Sequence, residues 1–451
     1  MEMQYVDNIL QNLELSNEDL KRVSDTLLTE LKRGLSVSTH KTSNIKMFPT
    51  YVRDIPDGTE EGTYLALDLG GSKFRVLNIH LKGRHCNMNS EKYDIPQSIM
   101  EGPGEDLFGH IAECLEEHIK KMENKQPHLH LGFTFSFPCE QRSLTQAILT
   151  RWTKGFTCSG VVGKDVTLML REAIERRKSS EIDIHVIAII NDTTGTLMSC
   201  AHRDRDCRIG LIVGTGCNAC YIERLEEVET WTGDREPPDQ VIINTEWGAF
   251  GDNGCLEFLR TSFDRKLDEN SNNPEKQLFE KMISGMYLGE IVRIIASKLS
   301  CNNIIFKGIL SQQFETPFTF KTKYISKIES DSPGSILKTK AVLEKMGVLN
   351  PAIEDCQTMQ KVCKIVSTRS AHLVAAAVST LLNKMQRKDR TVVGVDGSVY
   401  RYHPHFKSMM EEKISEMTEH PFELMLSEDG SGRGAALVAA VAARVEAAQS
   451  K

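Results

Sequence analysis

Tyr64-Leu-Ala-Leu-Asp-Leu-Gly-Gly-Ser-Lys-Phe-Arg-Val-Leu-Asn-Ile-His-Leu81 runs apolar, turns on paired glycines and runs apolar again. That reads as strand, Gly-rich turn, strand, a hairpin bent around Gly70 and Gly71. The pattern returns about 145 residues on, in Ile209-Gly-Leu-Ile-Val-Gly-Thr-Gly-Cys-Asn-Ala-Cys-Tyr-Ile-Glu223. Two such hairpins predict two similar α/β halves facing each other, with space for a phosphate chain between their turns. Glycine lacks a Cβ, so its backbone N–H groups can approach an anion closely. Gly214-Thr-Gly216, Gly397-Ser398 and Gly430-Ser-Gly432 are further turns of this kind. Gly214-Thr-Gly-Cys-Asn-Ala219 matches a dinucleotide fingerprint, but strand rather than helix follows it, which argues against that use. No G-x-x-x-x-G-K-[ST] segment occurs, which disfavours a P-loop enzyme.

The stretch Val186-Ile-Ala-Ile-Ile-Asn-Asp-Thr-Thr-Gly-Thr196 carries the strongest chemical signal. An apolar strand ends, a carboxylate (Asp192) follows, and a helix-like segment opens over 194–201. Such a carboxylate either caps the helix or acts as a base. Elsewhere, helical periodicity covers 20–35 behind a capping-box-like Ser16, then 107–122, 165–177, 277–299 as one long helix carrying Glu280, and 364–385. Residues 129–138 and 182–190 read as strands, 316–332 as a polar mixed stretch, and Thr391 to Ser398 as a third strand-to-glycine turn. A last helix is expected over 435–448, after a turn at 428–434.

The 451 residues suffice for two or three domains, and 40% apolar with 26% charged residues is an ordinary globular composition. A net charge of −7 argues against a nucleic-acid or anionic-membrane partner. Twelve scattered cysteines without a secretory signal read as reduced thiols in a cytosol. Cys217-Asn-Ala-Cys220 lies in a strand-like run, without the helix of a redox site. His128-x-His130 and His403-x-His405 have no cysteine or carboxylate partner at ligand spacing and read as surface or structural histidines. No apolar run reaches bilayer-spanning length, and residues 1–7 are acidic, unlike a signal or transit peptide.

Leu67-Asp-Leu-Gly-Gly-Ser72, Leu131-Gly-Phe-Thr-Phe-Ser-Phe-Pro138, Trp152-Thr-Lys-Gly-Phe156, Asn191-Asp-Thr193, Gly214-Thr-Gly216, Asn244-Thr-Glu-Trp-Gly-Ala-Phe-Gly-Asp252 and Gly394-Val-Asp-Gly-Ser398 stand in one familiar order. From about residue 15 to 445 the chain closely resembles an animal-type hexokinase or glucokinase, as a single unit. The resemblance implies a two-lobed, actin-like α/β ATPase fold with an interlobe cleft. Residues 1–61 would belong to the large lobe, 62–190 would form the small lobe, 191–428 the large lobe, and 429–451 a helix returning to the small lobe. It implies ATP-dependent phosphorylation of glucose and related hexoses at the 6-hydroxyl.

Carried over on those motifs, Asp192 resembles the general base, and Lys154 the cation that meets sugar and migrating phosphoryl group. Ser136, Thr153, Asn191, Asn218, Glu246 and Glu280 resemble sugar ligands. Asp68 matches the family residue near Mg2+, reached through water. Gly71, Ser72, Arg75, Thr215 and Gly216 resemble the phosphate turns, Thr322, Ser326 and Ser398 stand where the family meets ATP, and Gly70, Lys73 and Gly397 join the same ATP-binding set. Lys73 departs from the usual asparagine and is expected to alter nucleotide affinity modestly. The implied protein is monomeric and cytosolic, with no membrane or nucleic-acid partner. Two other readings are a sugar-binding regulator that has lost turnover and an actin- or chaperone-type ATPase. Asp192 and Lys154 beside the sugar ligands oppose the first; the sugar-ligand set opposes the second.

Overall fold

Two five-strand units with one topology frame the molecule. The computed structural model describes residues 2–70, 73–122, 126–152, 155–177 and 183–449. The first sheet holds β1 (Glu61–Leu69), β2 (Lys73–Lys82), β3 (His85–Asp94), β4 (His128–Phe135) and β5 (Asp183–Ile190), in the order β3-β2-β1-β4-β5. The second holds β6 (Cys207–Val213), β7 (Cys217–Arg224), β8 (Gln240–Asn244), β9 (Thr391–Asp396) and β10 (Phe422–Leu426), in the order β8-β7-β6-β9-β10. In each, the first three strands pair antiparallel and the last two add in parallel. Phe48–Pro49 extends the second sheet beyond β8. The central strands are apolar because both faces are covered, whereas β3, at an edge, alternates exposed and half-buried residues.

Each fifth strand feeds a helix that crosses to the other sheet. Asp192–Arg203 leaves β5 and lies on β6 and β9; Gly430–Gln449 leaves β10 and lies on β1, β4 and β5. The two helices cross backbone to backbone. A Cβ on Gly434 would lie 2.2 Å from the Gly195 Cα, and one on Gly195 would lie 2.7 Å from the Gly430 carbonyl oxygen. This corrects the expected helix start at 435. Gly430 and Gly434 are not a turn before the helix but its contact face with the crossing helix, while a Cβ on Gly432 would instead lie 2.8 Å from the Leu77 side chain of β2.

Three apolar cores result: one in each lobe, and one around the crossed helices. The helix Asn17–Leu35 starts with a full capping box, Ser16 with Asp19, and buries Leu20, Val23, Leu27 and Leu31 in the large-lobe core. Each such side chain contributes about 1.5–3 kcal/mol. The helix expected over 364–385 begins earlier and spans Ile353–Met385. It contains a stretch long and apolar enough to cross a bilayer, contrary to the sequence reading, but most of that stretch is buried within the protein. A helix Thr322–Glu329 forms inside the stretch read as polar and mixed. Pairing of β4 with β5 also sets Asp183 opposite His128, a carboxylate partner that sequence spacing did not reveal.

Candidate active site

At the end of β5 two adjacent residues divide the work of starting a helix. Asn191 is the cap: its Oδ1 accepts from the Thr194 N–H at 3.1 Å and from the Thr193 and Thr194 hydroxyls at 2.8 and 3.1 Å. Asp192 is the first helical residue, so the cap does not require its carboxylate. The pairing of cap and carboxylate is a local consequence of a buried strand running into a helix over the cleft.

The opposing wall comes from β7, β8 and the loop after β8. Asn218 Nδ2 donates to Asn244 Oδ1 at 2.8 Å and to Glu246 Oε1 at 3.1 Å, and Asn244 Nδ2 donates to Glu246 Oε1 at 2.8 Å. Glu246 adopts a left-handed backbone, φ 54°, a conformation unusual for a side chain of this kind. Burial raises its pKa, against the Asn244 and Asn218 amides that hold it down, and the nearby Asp192 adds to the rise. Glu280 sits in the helix Leu278–Ile283, where its Oε2 accepts from the Cys217 N–H at 3.1 Å.

The helix expected over 277–299 is broken into Leu278–Ile283 and Leu288–Cys301. The break has a physical cause. Gly285 N–H donates to the Gly214 carbonyl at 2.8 Å and Met286 N–H to the Thr215 carbonyl at 3.1 Å, so the interruption docks on the β6–β7 turn. Asp252 secures the first piece, accepting from Gln277 N–H at 3.0 Å and Leu278 N–H at 2.9 Å. Burial raises the Asp252 pKa despite those two bonds.

The phosphate-turn candidates divide into two groups. At the end of β1, Asp68 Oδ2 accepts from Arg75 Nη2 at 2.7 Å, Arg75 Nε at 3.1 Å and Ser431 Oγ at 2.8 Å, and Arg75 also pairs with Asp429 at 2.5 Å. Gly70 lies beside Ser136, whose N–H donates to Leu69 O at 3.1 Å. Lys73 is not the free cation that its position suggested. Its ammonium pairs with Asp94, its register partner on β3, at 2.8 Å, and both are exposed. In the second lobe, Gly214 N–H closes on the Gly216 carbonyl at 2.9 Å, and Gly397 opens the short helix Ser398–Tyr402. Gly71, Ser72, Thr153 and Lys154 lie outside the described residues.

Two cavities meet these walls. One, about 500 Å3, lies between the lobes and is lined by Pro138, Arg151 and Asn191 on one side and Asn244, Glu246 and Asp252 on the other. The second, about 830 Å3, gathers Thr215, Thr322, Ser326 and Ser398. Both volumes suit small ligands. Thr322 is also structural: its hydroxyl donates to Gly285 O at 2.6 Å and accepts from Gly289 N–H at 3.0 Å. The residue selection made from sequence omitted Asn244, Asp252 and Arg151. The first two bound the quoted segment 244–252, and polar residues flanking an apolar strand end were the available signal. Cys217 and Cys220 fall in different cores, and burial pushes the Cys220 thiol up to about 12, so neither forms a redox pair.

Residues 208–441 match a family model described as Hexokinase, and residues 5–202 match a second model of the same description. Hexokinase-2 of Rattus norvegicus is 47% identical across 98% of this chain and 49% of its own length. Hexokinase-1 of Homo sapiens is 45% identical across 98% and 48%. The chain thus spans about half the length of these curated relatives. A solved hexokinase from Schistosoma mansoni, complexed with glucose, superposes with a TM-score of 0.89 at 42% identity, covering 98% of this chain and 99% of that one.

Proposed function

The chain belongs to the hexokinase family, and on that premise we propose that it transfers the γ-phosphoryl group of ATP to the 6-hydroxyl of glucose and related hexoses, giving hexose 6-phosphate and ADP. One observation carries the reading. Thr215 lines the larger cavity, and Asn218, three residues on, donates to Glu246 of the smaller one, so one hairpin turn separates a nucleotide-sized site from a sugar-sized site. Phosphoryl transfer needs that adjacency because it depends on alignment and charge neutralisation.

In this reading Asp192 takes the 6-hydroxyl proton as the oxygen attacks phosphorus. Asn191, Asn218, Glu246, Glu280, Ser136 and Thr153 hold the remaining hydroxyls, each of which donates and accepts. Lys154 and the Thr215 and Gly216 N–H groups meet the charge that develops on the transferring group. Among the described residues the three bonds to Asp68 all fall on Oδ2, which suits a hard cation met through water at the other oxygen. Magnesium bound there would neutralise triphosphate charge. The two lobes, joined through crossed helices, can close on sugar and exclude water as the competing acceptor.

The same reading has the protein act as a cytosolic monomer without membrane or nucleic-acid partners, consistent with its net charge of −7; sedimentation of the purified chain tests the monomer. The deciding experiment is ADP release from MgATP with and without glucose, for the native chain and Asp192→Ala. Glucose-dependent turnover lost in the variant is expected. Turnover independent of sugar would refute the assignment, as would full turnover in the variant.

A further inference from the structure

Strand register assembles a second polar cluster away from the cleft. His128 and His130 alternate along β4, Asp183 and His185 along β5, and the pairing sets His128 opposite Asp183 and His130 opposite His185. With a side-chain period of two, all four share one face of the sheet. Asp183 Oδ2 lies 2.7 Å from His185 Nε2 and 3.6 Å from His128 Nδ1. The three donor atoms all lie within 4.8 Å of one another. Tetrahedral zinc, with bonds of about 2.0–2.2 Å, places its donors roughly 3.4 Å apart. Small side-chain rotations therefore bring this set to ligating geometry.

We propose that His128, Asp183 and His185 form a binding site for a zinc-type divalent cation that staples the first residues of β4 to those of β5. Two imidazoles and one carboxylate select a borderline transition ion over magnesium, which prefers oxygen donors and its own waters. The His128 side chain is 70% exposed and that of His185 is 50% exposed, so the ion can enter from solvent and keep water in its open position. His130 stands beside the site, its ring centroid 6.1 Å from that of His185.

The site has a structural use. β5 is the outer strand of its sheet, held in the β-ladder by β4 alone among the described strands. A metal bridging the two strands opposes fraying where β5 begins. It also lies at the opposite end of β5 from Asp192, about 26 Å away along an eight-residue strand. The ion therefore acts on stability and not on phosphoryl transfer.

Zinc titration of the untagged full chain by calorimetry tests this, in a Cys301→Ser background because Cys301 is an exposed thiol that competes for zinc. The expected result is one saturable site, with affinity falling at least tenfold in the His128→Gln, His185→Gln double variant. The zinc-dependent rise in thermal midpoint should vanish with it, while glucose-dependent turnover without added zinc stays at the parent value. Retained zinc affinity in the double variant, or no saturable binding up to about 1 mM, overturns the proposal. Asp183→Asn provides a second variant that keeps the side-chain volume, and unchanged affinity there overturns it equally.

Discussion

Replacing Gly434 by alanine should separate the two crossed helices. The added Cβ would sit 2.2 Å from both the Gly195 Cα and the Gly195 carbonyl oxygen, where ordinary contact begins at 3.4 Å. Relief requires a movement of about 1 Å, and neither neighbour can rotate away because both are backbone. Overpacking of this kind costs about 1–3 kcal/mol, against a gain of about 1 kcal/mol from exchanging glycine for alanine inside a helix. The upper part of that range applies, so a net loss of about 2 kcal/mol is expected. The shifted helix also carries Asp192, and a displacement near 1 Å at a reacting group can lower turnover about a hundredfold. Gly109→Ala is the matched control. Gly109 lies inside the helix Gly104–Lys121 with nothing within 4 Å of an added Cβ, so that variant should gain about 0.4–1 kcal/mol. Denaturant unfolding followed by circular dichroism, together with kcat, reads both. A Gly434→Ala protein as stable as the parent would refute the crossing argument.

Three further outcomes follow from the site. Asn218→Ala removes the amide that donates to Glu246 and Asn244, and leaves buried acceptors short of a partner; glucose KM should rise about 5- to 150-fold, with MgATP KM little changed. Glu246→Gln should raise the thermal midpoint of the sugar-free protein at neutral pH while weakening glucose binding. Burial and Asp192 lift the Glu246 carboxyl above its ordinary 4.5, so its contribution to folding is favourable at low pH and is lost as pH rises through the folded value; a midpoint gain that persists unchanged at pH 4 would contradict this. Lys73→Asn should leave MgATP KM within about twofold, because the variant breaks an exposed ion pair with Asp94 worth about 1 kcal/mol or less; steady-state kinetics with varied MgATP reads it, and a tenfold change would return Lys73 to the phosphate site.

Much of the fold is written in short-range pattern. The hairpins around Gly70 and Gly214 were visible because strand periodicity and turn glycines are local signals. Asp192 stood out for the same reason, as a carboxylate between an apolar strand and a helix. Gly430 and Gly434 misled, since glycine serves turns and close helix contacts alike, and only the neighbouring Gly195 distinguishes them. The helix through 277–299 misled as well. Its periodicity continues across Gly285, while the forces that break it are hydrogen bonds to Gly214 and Thr215, some seventy residues earlier.

The sequence alone thus determined the two repeated hairpins, the carboxylate at Asp192 and the family to which these motifs point, because each is encoded in neighbouring residues. Tertiary structure alone decided that Asn191 and not Asp192 caps the helix, that Asp94 engages Lys73, and that Asp252 anchors the helix bearing Glu280. It also decided that Asp183 meets His128 and His185. These are matters of which donor reaches which acceptor. A hydrogen bond or ion pair is set within a few ångströms in space, and chain order does not record that distance until the sheets and crossed helices have packed.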